Sequence, residues 1–132
     1  MNYLLDTHTF LWAVFAPEKL SRKAGAVIAD ASNEIYLSSV TFWEISLKFG
    51  LGKLTLENCT PENLVSVARE MGLTLIAPNA DEAASFHQLP RVPHRDPFDR
   101  MLVWQALQRK LVLITKDSAL PTYAAAGLEI LW

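Results

Sequence analysis

Short apolar runs alternate with amphipathic stretches along the chain. NYLLD (2–6), EIYLS (34–38), LTLIA (73–77), LVLIT (111–115) and LEILW (128–132) are apolar almost throughout, and turn or helix-capping residues separate them. Such runs predict buried strands. Between them, periodicity predicts helices over about 7–16, 21–33, 39–50, 60–72, 79–89 and 97–110. Pro17 breaks the first helix, and Gly50 is the expected C-cap of the third. Thr60 opens the fourth, with proline at its first position, Glu62 and Asn63 in the first turn, and Gly72 as the stop. SALPTYAAAG, interrupted by Pro121, leads into the last strand. Strands of this kind alternating with helices predict an α/β fold with a parallel sheet covered on both faces. Ligands in such folds sit beyond the carboxyl ends of the strands, near the reversal in strand order.

Composition narrows the class. At 132 residues a single domain, 1–132, with a real core is expected. With 51% hydrophobic and 20% charged residues, the composition is that of a folded domain and argues against disorder. No apolar run approaches the ~20 residues of a membrane span, and MNYLLDTHTFLW lacks the basic start of a signal peptide, so a cytoplasmic protein is expected. Cys59 is the only cysteine, which excludes an internal disulfide or a multi-cysteine zinc site. Twelve basic residues against 14 acidic give a net charge of −2, which argues mildly against a generic nucleic-acid binder. If four of the 14 acids hold a cation, 12 basic residues face ten acidic ones and the objection weakens.

Four acids stand where chemistry is expected. Asp6 ends the first strand, Asp117 follows LVLIT, Glu44 lies in the apolar helix SVTFWEISLKFG, and Asp99 lies in the first turn of the helix that begins at Pro97. Each has an ordinary explanation. Asp6 and Asp117 could cap the helices after them, Glu44 could pair with Lys48 one turn on, worth ~0.2–0.5 kcal/mol, and Asp99 could answer the helix dipole. Asp96, directly before Pro97, is the natural N-cap of that helix. If the four converge, however, they repel: two charges 4 Å apart cost ~4 kcal/mol at an effective dielectric of 20. A divalent cation resolves that conflict, and oxygen ligands suit Mg2+ or Mn2+. Such an ion can activate water and neutralise charge on a phosphodiester, without a histidine base or a 2′-hydroxyl, leaving a 5′-phosphate and a 3′-hydroxyl.

Four motifs then coincide: LLDTHTFLW, SSVTFWEISLKFGLGKL, HRDPFDRMLVWQAL and LITKD, in this order and spread over essentially the whole chain. With them the chain resembles the PIN-domain ribonucleases, specifically the VapC-type toxins of bacterial toxin–antitoxin pairs. The resemblance implies a three-layer α/β/α sandwich and a Mg2+ or Mn2+ site. By motif, Asp6, Glu44, Asp99 and Asp117 are its catalytic and metal-holding acids, with Thr115 as an accompanying hydroxyl and Asp96 as the cap or a supporting residue. Trp104 stands where the family pattern has a small residue. The resemblance also implies an RNA substrate, a homodimer, and a VapB-like antitoxin that lays a segment into an apolar groove.

Arg95, Arg100, Lys116 and Lys48 are candidates for steering RNA phosphates, as are Arg91 and Lys53, against the alternative of solvated surface charge. His94 is close in sequence to the acids, but a loop histidine is commonly just exposed. GLGK (50–53) lacks the phosphate-loop spacing and follows a helix, which rules out that reading. Core packing is the expected role of Phe10, Trp12, Phe15, Phe42, Trp43 and Phe49. Two alternatives stay open. One is a phosphatase of another Rossmann-like class, which would want an aspartate where His8 stands; the other is an inactive PIN-fold binding module, which would have no reason to keep a repelling cluster.

Overall fold

The computed structural model describes residues 1–132. In chain order the elements are β1 (Asn2–Leu5), α1 (Thr7–Phe15), α2 (Arg22–Ala29), β2 (Glu34–Ser38), α3 (Ser39–Gly50), α4 (Pro61–Glu70), β3 (Thr74–Ile76), α5 (Ala80–Ser85), α6 (Pro97–Arg109), β4 (Val112–Ile114) and β5 (Ile130–Leu131). Tight 3-10 turns occupy Pro17–Lys19, Phe86–Gln88 and Leu120–Ala126. The five strands form one parallel sheet in the order β3-β2-β1-β4-β5. The order reverses between β1 and β4, which opens a crevice at their carboxyl ends.

Side-chain alternation along β1 explains why both faces are covered. Leu4 packs with Leu102, Val103 and Ala106 of α6, whereas Tyr3 and Leu5 pack on the other face with Phe10 of α1, Ala24 of α2 and Leu64 of α4. The result is a three-layer α/β/α sandwich. Helix α3 serves both layers, with Val40 in one cluster and Ile45 in the other.

Local sequence sets most element boundaries. Thr60 and Asn63 form a reciprocal capping box on α4, and Asn79 with Glu82 does the same on α5. The helix expected over 21–33 ends at Ala29, because Asp30 accepts from the backbone N–H and the hydroxyl of Ser32 and closes a turn before β2. Gly50 is the last residue of α3 rather than its cap; the left-handed position falls two residues later, at Gly52 (φ 72°). The stretch expected as one helix over 79–89 splits into α5 and the turn at 86–88.

The core assignment needs correcting at three aromatics. Phe10 is fully buried, but Trp43 is 65% exposed, and Phe15 and Phe49 are also exposed. Helix α3 turns Val40, Thr41, Glu44 and Ile45 inward, so its other side faces outward despite being apolar. Trp104 is accommodated beneath α5: its indole N–H donates to the Glu82 carbonyl (3.0 Å) and reaches the Ser85 hydroxyl (3.2 Å). The same corner is tied by Arg109, which grips Glu82 with two 2.8 Å bonds and the Ala77 carbonyl with one of 2.9 Å. Arg109 holds the Glu82 carboxyl below the usual carboxylate range. Replacing Arg109 with alanine leaves a buried carboxylate without its cation. The expected cost is about 2 kcal/mol, seen as a Tm lower by several degrees in thermal unfolding.

Candidate active site

The first acid is placed by the end of β1. The Asp6 backbone N–H donates to the Ile114 carbonyl (3.2 Å), and its carboxylate accepts from the Thr9 backbone N–H (2.8 Å) as the N-cap of α1. Capping and convergence are therefore both served by one residue. Asp6 is 5% exposed, and burial raises its carboxyl above the ordinary range, opposed by hydrogen bonds from Thr115 and Thr9.

Glu44 projects inward from α3 and is buried. One oxygen accepts from the Thr7 hydroxyl (2.7 Å), which also lies 3.2 Å from that of Thr41; the other pairs with Lys48. Lys48 is thus engaged with Glu44 rather than free for a phosphate, and this bond raises its pKa. Sequence patterns do not single out Thr7 or Thr41; the only signal is that Thr7 directly follows Asp6 in LLDTH.

The two aspartates of HRDPFD divide their work. Asp96 caps α6, one oxygen accepting from the N–H groups of Phe98 (2.9 Å) and Asp99 (3.0 Å). Asp99 makes no cap. Its carboxyl is pushed up to about 7, first by burial and then by the charges of Asp96, Glu44, Asp6 and Asp117. Asp117 follows β4 in an Asx turn, accepting from Ala119 N–H (2.9 Å), while its own N–H donates to the Thr115 hydroxyl (3.0 Å). His94 Nε2 stands 3.2 Å from Asp99 Oδ2, and donor atoms of His94, Asp99 and Asp117 all lie within 4.8 Å of one another. His94 departs from the exposure expected of a loop histidine: its ring is mostly enclosed, edge-on to Tyr123.

A cleft of about 450 Å3 opens beside this cluster, lined by Asp6, His8, Trp12, Lys116, Asp117 and Ser118. Lys116 is exposed, with its ammonium 5.7 Å from the Trp12 ring centre. Arg91 and Arg95 are exposed around a second hollow that His94 and Arg100 also line. Arg100 is a correction to its place among free cations. It donates to the Tyr123 hydroxyl (3.0 Å) and to the carbonyls of Pro90 (3.2 Å) and Leu89 (3.4 Å), so it braces the loop before α6. Oxygen donors that repel one another, beside a buried imidazole nitrogen without a hydrogen bond, fit a small divalent cation.

The PIN domain family matches residues 3–126. The chain belongs to the PIN domain family. Ribonuclease VapC22 of Mycobacterium tuberculosis is 27% identical over 129 residues, covering 98% of this chain and 97% of its own. Among solved structures, VapBC2 from Rickettsia felis bound to a promoter DNA fragment superposes with a TM-score of 0.68 at 15% identity, over 99% of this chain and 98% of that one. VapBC-5 from Mycobacterium tuberculosis, described as a member of the VapBC family of toxin–antitoxin systems, gives 0.61 at 19% identity, over 98% and 97%. These two likenesses establish the PIN fold. No helix is long and apolar enough to cross a membrane.

Proposed function

We propose that this chain, as a single PIN domain over residues 1–132, is a divalent-metal-dependent endoribonuclease and the toxin of a toxin–antitoxin pair. The observation that carries the reading is the approach of Asp99 and Asp117 carboxylate oxygens to within 4.8 Å where strand order reverses, with Asp6 and Glu44 near enough to add to the field on Asp99. The relative named a ribonuclease and the fold shared with VapBC proteins support it. In this reading the four acids hold Mg2+ or Mn2+, with Thr115 and Asp96 supporting them. The ion supplies an activated water and neutralises charge on the phosphodiester. The protein's own groups do the rest. Thr7 and Lys48 hold Glu44 in place, Asp96 fixes the helix turn that carries Asp99, and Lys116 and Arg95 lie exposed where they can meet the RNA backbone. A cytoplasmic site of action, a homodimer and a VapB-like antitoxin belong to the same reading, the last because the solved neighbours include VapBC assemblies.

The test is cleavage of a mixed RNA pool by the purified protein in Mg2+ or Mn2+. The expected outcome is cleavage that EDTA abolishes, with products carrying 5′-phosphates. Cleavage that survives EDTA, or that leaves 2′,3′-cyclic ends, would refute the mechanism.

A further inference from the structure

The set of donor atoms that all lie within 4.8 Å of one another is not made of the four acids. It consists of His94, Asp99 and Asp117. Three features of His94 bear on its role. Its Nε2 atom has no hydrogen-bond partner although it is shut off from solvent, so a polar nitrogen is buried with nothing to satisfy it. Asp99 Oδ2 is within ion-pair range at 3.2 Å, yet the geometry between them does not make a hydrogen bond. The ring is positioned from behind, edge-on to Tyr123 at 90° and 6.3 Å between centres, and Tyr123 is itself buried and bonded to Arg100. The loop histidine is therefore held, and held with its nitrogen at the carboxylates.

The separation matches shared ligation. Two ligands at neighbouring corners of an octahedron with bonds of about 2.1 Å stand about 3.0 Å apart. The observed 3.2 Å between His94 Nε2 and Asp99 Oδ2 is close to that figure, and the 4.8 Å limit on the three donors allows all of them to meet one ion. Imidazole nitrogen is a softer ligand than carboxylate and suits first-row transition ions better than Mg2+.

We propose that His94 is a nitrogen ligand of the metal centre, joining Asp99 and Asp117, and that it biases the site toward a transition ion such as Mn2+ over Mg2+. The proposal rests on the reading above that the acids hold a divalent cation. It adds a ligand and a metal preference that the four carboxylates do not supply.

The decisive experiment is pulsed EPR of the Mn2+-loaded protein, beside titrations of Mn2+ and Mg2+ by calorimetry. His94→Phe keeps an aromatic ring against Tyr123 while removing the nitrogens, and His94→Asn offers a second, smaller replacement should the first fold poorly. Nitrogen hyperfine coupling is expected in wild type and should vanish in both variants. Mn2+ affinity should fall about tenfold in them, with Mg2+ affinity changing much less. Mn2+ bound to wild type without nitrogen coupling would overturn the role of His94 and leave the carboxylate centre standing. Coupling that persists in His94→Phe would assign the nitrogen elsewhere, with the same consequence. Failure of wild type to bind Mn2+ at all would overturn the centre itself, and His94 with it.

Discussion

Asp99→Asn is expected to lower RNA cleavage by on the order of a thousandfold while leaving the metal-free protein more stable than wild type at pH 8. The two effects have one cause. Burial makes the charge of Asp99 costly, and the charges of Asp96, Glu44, Asp6 and Asp117 add to that cost. Asparagine removes that cost and, with it, the charge a cation needs. The gain in stability should be about 2 kcal/mol at pH 8, after allowance for the solvent that reaches its carboxylate, and should disappear near pH 4. Asp96→Asn is the matched control. Asparagine caps a helix about as well as aspartate, and Asp96 uses its carboxylate on the Phe98 and Asp99 N–H groups, so activity should stay within severalfold of wild type. Denaturant unfolding and single-turnover cleavage of the two variants provide the comparison. Equal losses of activity would mean that the two aspartates do not divide cap from charge.

The second large effect is on pH. The Asp99 carboxyl ionises at about 7 in the folded protein, against an ordinary value of 3.8. Between pH 4 and 7 the unfolded chain therefore holds fewer protons at this position than the folded one, and stability falls as pH rises. Below that window the contribution of Asp99 is constant, and above it the loss is complete. Metal binding should run the opposite way, because a protonated Asp99 must lose its proton before it can serve as a ligand. Mn2+ affinity is expected to rise about tenfold per pH unit from pH 5 to near 7 and then flatten. Asp99→Asn should make both slopes clearly shallower, leaving the smaller share that the raised Asp6 carboxyl contributes. Metal-free thermal melts and Mn2+ titrations across pH 5–8 measure the two slopes. A metal-free stability that climbs from pH 4 to 7 in wild type, and not in the variant, would contradict the assignment.

Much of the fold and of the acid cluster is legible in the order of the amino acids. Apolar runs and caps place all five strands and six helices, because a parallel strand buried on both faces leaves a continuous hydrophobic signature. Asp6 and Asp117 fall at strand ends by that pattern alone, and the proline between Asp96 and Asp99 separates their roles. Other features depend on distance across the fold. Thr7 meets Glu44 over 37 positions and Arg100 meets Tyr123 over 23, contacts to which local periodicity is blind. His94 has the signature of a loop residue because Pro93 and the polar stretch around it resemble any surface connection; its enclosure depends on Tyr123, brought against it by the turn after β4. The outward turn of Trp43 is hidden for a related reason: an apolar helix reads the same whether both of its sides are covered or only one.

Whether the acids form a cation site or merely cap helices is decided most directly by the melting temperature with and without Mn2+. Asp6→Asn is the informative variant, since asparagine preserves the cap on Thr9 and removes the buried charge. A ligand at a hundredfold excess over its Kd stabilises the folded state by about 2.7 kcal/mol. Saturating Mn2+ should therefore raise the Tm of wild type by several degrees and leave that of Asp6→Asn unchanged. No rise in wild type, or the same rise in both proteins, would mean that Asp6 caps its helix without helping to hold a cation.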